Sequence, residues 1–212
     1  MSIRVVTAVI LALVVSASIE NARAALTPLA FDATFEGHFW NDYQKHASAR
    51  FSITPNADGA SVQSVENGKT TSGEVTVKDG QLSAVSGVWE IEAYNDLVRL
   101  TEDNAKPFAV GSTWRSKVPV QVDNTRFDDV PVTVTVASVD GPKVVLQATG
   151  TLSENAMLRG YSTPIVLDVS AAMAIVDGQI AAGRLAVSDD VKSMIGEQQL
   201  NWQWTLAPAR SM

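Results

Sequence analysis

Glu36, His38, Asp42 and His46 fall in one short stretch, and His38 and His46 are the only histidines in the chain. Imidazole nitrogens beside carboxylate oxygens are the donor set that zinc and similar cations accept. On a strand, alternate residues share a face, so Glu36, His38 and Asp42 project the same way while His46 lies beyond an expected turn. No denser ligand spacing accompanies them. They stand as weak metal candidates on an otherwise solvated outer face, and no cofactor is expected.

Other chemistry finds less support. The region after residue 24 has no Gly-x-Ser-x-Gly elbow and no Ser-x-x-Lys pair. A Ser/His/Asp triad would have to draw on one of two histidines near the start, and nothing marks a serine as partner. Asp128-Asp129 and Asp189-Asp190 are adjacent carboxylates. Neighbours on a strand point to opposite faces, so neither pair forms an acid/base couple by itself. No residue is assigned a catalytic role.

The tryptophans carry more information. Trp89, Trp114, Trp202 and Trp204 are four of five in the chain, with Trp40 the fifth. Trp202 and Trp204 lie two apart and so share one face of a strand. Large rings fill β cores, but they also line apolar pockets. Small residues at Ala171, Ala172, Ala174, Ala181, Ala182 and Gly183 precede them. These four tryptophans are therefore the ligand-binding candidates.

The elements that must position these residues are strands. Leu200, Trp202, Trp204 and Leu206 alternate with Gln199, Asn201, Gln203 and Thr205, and Val130, Val132, Val134 and Val136 alternate with Pro131, Thr133, Thr135 and Ala137. That period of two is the signature of half-buried strands. Turn dipeptides recur between apolar runs: Asp58-Gly59, Asn67-Gly68, Asp79-Gly80, Asn95-Asp96, Asp140-Gly141 and Asp177-Gly178. Strands are expected at Val88–Tyr94 and Leu97–Thr101 on either side of Asn95-Asp96. Two short helices are expected, one from Ser153 to Gly160 and one from Ser188 or Asp189 to Gly196. The fold class that follows is all-β, a mostly antiparallel meander forming a barrel, half-barrel or sandwich, since no long helix is expected to cover an open sheet.

At the start, Arg4 precedes the apolar run Val5–Ala17, and Ala22-Arg23-Ala24 places small residues before Ala25. This is the pattern of a cleaved secretory signal peptide over residues 1–24. The run is shorter than the ~20 apolar residues a spanning helix needs. Residues 25–212 then form one β-rich domain, with a two-half organisation around 103–112 as a variant suggested by the echo of Val77–Ala84 in Ile175–Ala182.

The chain carries a formal charge of −7 and no cysteine. Losing Arg4, Arg23 and Glu20 makes the remainder one unit more negative. Such an acidic chain without a basic run is a poor partner for nucleic acid. Without cysteine, thiol catalysis, thiolate metal sites and disulfides are all excluded. No second apolar segment is long enough to span a membrane after signal removal. An outer-membrane barrel is disfavoured by short strands and few tyrosines.

The sequence thus describes an exported, periplasmic or secreted β-domain. The expected role is a non-enzymatic binding module for a small apolar or lipid-like ligand, or for an envelope partner protein. Two alternatives stand beside it: a secreted hydrolase with an unrecognised carboxylate or histidine site, and a structural or interaction protein with a filled core.

Overall fold

The computed structural model describes residues 27–38, 44–102, 104, 107–122, 125–158, 161–193 and 196–210. The expected signal peptide, Trp40 and Asp42 lie outside these residues. The first four strands, β1 (Leu29–His38), β2 (Gln44–Asn56), β3 (Gly59–Glu66) and β4 (Lys69–Val75), are followed by a small hairpin, β5 (Val77–Lys78) and β6 (Gln81–Leu82). One helix, α1 (Glu90–Glu102), leads into β7 (Thr113–Val122), β8 (Thr125–Asp140), β9 (Lys143–Leu158), β10 (Tyr161–Val176), β11 (Gln179–Ser193) and β12 (Gly196–Pro208).

Ten strands form one antiparallel sheet in the order β4-β3-β2-β1-β12-β11-β10-β9-β8-β7. All neighbours but one are consecutive in the chain. The exception is β1 with β12, where Phe35 sits opposite Trp204 and Gly37 opposite Trp202. The turns are those the sequence marks: Asn67, Asp79 and Asp177 have φ of 50°, 54° and 51°, each followed by a glycine of positive φ. Two successive left-handed residues match the twist of the flanking strands.

The sheet stays open, with β4 and β7 as edges. It is nevertheless strongly curled. Trp202 on β12 donates its indole N–H to the Gln121 carbonyl on the β7 edge at 3.1 Å, although four strands separate β12 from β7 in the sheet. Register shifts at Val118/Val120, Val136/Ser138 and Ala174/Ile175 accompany that curl, as expected from the added twist of bulges. The β7 edge carries Pro119, which has no N–H to offer a further strand.

One face of the sheet is apolar. Phe31, Phe51, Leu146, Leu167, Leu185, Leu200, Trp202 and Trp204 are all buried on it. The outer face carries Asp32, Arg50, Asp168 and Arg184 and is largely exposed.

Helix α1 covers the apolar face. The expected strands at Val88–Tyr94 and Leu97–Thr101 are in fact this single helix. Ile91, Tyr94, Leu97, Val98 and Leu100 are buried with Ala93 at helical rather than alternating spacing. No glycine or proline interrupts residues 88–102. Glu90 and Glu92 in the first turn and Arg99 in the last complement the helix dipole. The helices expected after Ser153 and Ser188 are strand instead: Ser153 pairs with Val166, and Ser188 lies between Asp168 and Asn201.

Candidate functional site

At ~1.5 Å per residue, the thirteen residues of α1 reach about 20 Å, enough to cross several strands. They do so as a strap. At its start, Glu90 Oε1 accepts the Ser64 hydroxyl of β3 at 2.6 Å. One turn on, Tyr94 packs on Phe31 of β1, with ring centroids 6.4 Å apart. Mid-helix, Asp96 lies beside the Trp204 indole of β12, and Leu97 seats on Gly183 of β11. At the far end the Arg99 and Leu100 carbonyls accept the Ser116 hydroxyl and the Trp114 indole of β7, at 2.7 and 2.9 Å. These last two bonds satisfy carbonyls that a helix end leaves unpaired. The strap is also tied from outside: Asn95 makes two 2.8 Å bonds with the backbone N–H and carbonyl of Leu82 on β6.

Of the four tryptophans singled out in the sequence, Trp89, Trp114 and Trp204 border this helix, while Trp202 packs on Phe35 and bonds the β7 edge. Trp89 immediately precedes it and meets Phe35 edge-on at 6.1 Å. Phe35 in turn stacks on Trp202 at 6.1 Å. Trp204 holds the centre and Trp114 the end. Trp202 and Trp204 are 8 % and 4 % exposed, so the space they line is filled by α1 and neighbouring side chains.

The interface between strap and sheet is not purely apolar. Glu90 and Asp96 are 0 % and 7 % exposed. Burial raises the Glu90 carboxyl above its ordinary value, opposed by the Ser64 hydrogen bond. Burial pushes Asp96 to about 7, against the opposing pull of Arg99. These two acids are the site residues that sequence reading misses. The signal that would have found them is the helical spacing of their apolar neighbours.

The histidine stretch falls elsewhere. Glu36 and His38 project from the outer face of β1 into an open groove of about 560 Å³ whose walls include His46, Asn201 and Gln203. Glu36 lies directly opposite His46, with 3.9 Å between Oε1 and Nδ1, and its other oxygen accepts the Gln203 amide at 3.3 Å. Both Glu36 and His46 are more than half exposed. Among the described residues, no three histidine or carboxylate side chains are placed to hold a metal ion. Asp128 and Asp129 turn to different partners, Arg126 at 2.7 Å and Lys117 at 3.2 Å.

No family model, curated protein or solved structure matches the chain. Among the described residues no helix is long and apolar enough to cross a membrane.

Proposed function

We propose that the protein is an exported, non-enzymatic binding module that takes an apolar or amphipathic ligand between the curled sheet and α1, with the helix acting as a displaceable strap. The observation that carries this reading is the placement of Glu90 and Asp96. A helix built only to fill a core presents apolar side chains to it, because each incompletely paired buried polar group costs about 1–3 kcal/mol. This helix buries two carboxyls, Glu90 against the Ser64 hydroxyl and Asp96 beside the Trp204 indole. The composition suits an element that leaves its seat, since in water both acids recover their solvation and ionise.

Export is the second part of the proposal and rests on the Arg4, Val5–Ala17 and Ala22–Ala24 pattern. A polar outer face and an apolar inner one suit a protein working in water, the reverse of a barrel that faces lipid. The second reading is a structural or interaction protein with a permanently filled core. It is favoured by the close ring packing of Trp202, Phe35 and Trp89.

The test is a fluorescence titration of the purified exported protein with a long-chain fatty acid, together with mass spectrometry of co-purifying lipid. A tryptophan shift on titration, a bound acyl compound and a polypeptide mass beginning at Ala25 are the expected results. No shift and no lipid would leave the filled-core reading in its place.

A further inference from the structure

The open groove of about 560 Å³ on the outer face lies across five strands, and none of its walls comes from α1. Its shape follows from the strand register. In one row perpendicular to the strands, Ser170 of β10 pairs with Ala186 of β11, Ala186 with Gln203 of β12, Gln203 with Glu36 of β1, and Glu36 with His46 of β2. Two residues along, Ser188, Asn201, His38 and Gln44 form a second row over β11, β12, β1 and β2. All of these residues line the groove. The short side chains of Ser170, Ala186 and Ser188 make its floor, and the longer ones on β12, β1 and β2 stand along one side. Elsewhere on this face neighbours close on one another, as Arg50 does on Asp32 at 3.4 Å and Thr151 on Asp168 at 2.7 Å. Here Gln44, Ser170, Ser188 and Asn201 stay exposed.

We propose that this groove is a second binding site, for a neutral oligosaccharide whose hydroxyls bond the two rows while its length follows them across the strands. Carboxamides, imidazoles and hydroxyls both donate and accept, as sugar hydroxyls do. Glu36 is the one carboxylate in the rows, and it holds Gln203 in place by accepting its amide at 3.3 Å. An anion would meet that carboxylate in a chain of formal charge −7, and the lysine at the groove, Lys45, sets its ammonium 5.5 Å over the Phe35 ring. An apolar ligand would strip water from polar groups and return no hydrogen bonds. Five strands at a spacing of ~4.8 Å make a track of about 19 Å, which suits an extended chain of sugar rings better than one ring. The site lies on the opposite face from the strap and does not depend on the reading of α1.

The experiment titrates the purified protein calorimetrically with cellotetraose, chitotetraose and tetragalacturonate, two neutral tetrasaccharides and an anionic one. Saturable binding of at least one neutral probe, with Kd below about 1 mM, and no binding of tetragalacturonate are the expected results. Gln203→Ala and Asn201→Ala each remove one exposed carboxamide and should weaken that binding about tenfold, roughly the net worth of one hydrogen bond. Gln63→Ala, on the outer face of β3 and outside the groove, should leave it unchanged. In wild type, NMR shifts during the titration should fall on Glu36, Ser188, Asn201 and Gln203, which keeps the test decisive if a variant does not fold. No binding of either neutral probe, tighter binding of tetragalacturonate, shifts confined to other residues, or affinity unchanged in both groove variants would overturn the proposal. The fatty-acid titration of Gln203→Ala should match wild type, so the two readings stand or fall separately.

Discussion

Leu97 of α1 rests directly on Gly183 of β11, so closely that a Cβ at 183 would overlap the leucine side chain. Leu97 is fully buried there, and helix and sheet meet with no slack. The absence of a side chain at 183 therefore sets the height of the strap above the sheet. Gly183→Ala should cost about 1–3 kcal/mol through overpacking. Leu97→Ala should cost about 2–5 kcal/mol through the cavity it leaves. Combining them should cost clearly less than the sum, since each relieves the other. Chemical denaturation of the four proteins measures this, and strict additivity would mean the two residues do not set the helix position.

Trp202 links the two ends of the curl. Its ring stacks on Phe35, and its indole N–H reaches the Gln121 carbonyl on the far edge. Trp202→Phe keeps a ring and loses the bond, and should cost about 1–3 kcal/mol because the carbonyl is left without that donor. Trp202→Ala should cost about 3–5 kcal/mol. Near-equal losses for the two, read from denaturation midpoints, would show that the bond to β7 and not the ring packing holds the curl.

Asp96 makes stability depend on pH. Its ordinary value is 3.8 and its folded value about 7, raised by burial and Glu92 against Arg99, Arg126 and the Trp204 indole. Below 3.8 both folded and unfolded forms hold the proton, so the full contribution is present. Between 3.8 and about 7 only the unfolded chain releases it, so stability falls as pH rises through this window and levels off above it. The loss is on the order of 4 kcal/mol, since each tenfold difference in proton affinity between the two forms is worth ~1.4 kcal/mol. Asp96→Asn should flatten the difference in unfolding free energy between about pH 4 and about pH 7.5, the two sides of that window. An unchanged pH profile in the variant would show that Asp96 titrates normally in the folded protein.

Much of the sheet is legible in the sequence, for a local reason. Asn67-Gly68, Asp79-Gly80 and Asp177-Gly178 supply the left-handed pairs that hairpins need, and Leu200 to Leu206 alternate cleanly. The helix is hidden because Asn95-Asp96 reads as a turn between two apolar runs. In the fold, Asn95 commits its side chain to the Leu82 backbone and Asp96 faces Trp204. Polar residues recruited for docking look like turn residues when only their types are visible. Ser153 and Ser188 fail in the opposite sense: each resembles a helix cap, but neighbouring strands claim their backbones. That Trp202 and Trp204 are buried can be read from sequence, because size and apolarity are intrinsic to them. The burial of Glu90 and Asp96 cannot, because only the tertiary arrangement creates it.

The displaceable strap is tested most directly by pinning it. The chain has no cysteine of its own, and a Cβ at 183 would lie 3.1 Å from Leu97 Cγ, so cysteines at these two positions face each other across the helix–sheet contact. In Leu97→Cys/Gly183→Cys, oxidation should fix α1 to β11, and reduction should free it. Binding of a long-chain fatty acid by tryptophan fluorescence is then measured on one protein in its two redox states. A strap that must lift to admit ligand predicts saturable binding in the reduced protein and at least a tenfold loss on oxidation. Equal affinity in both states, with the bridge confirmed by mass, would contradict it.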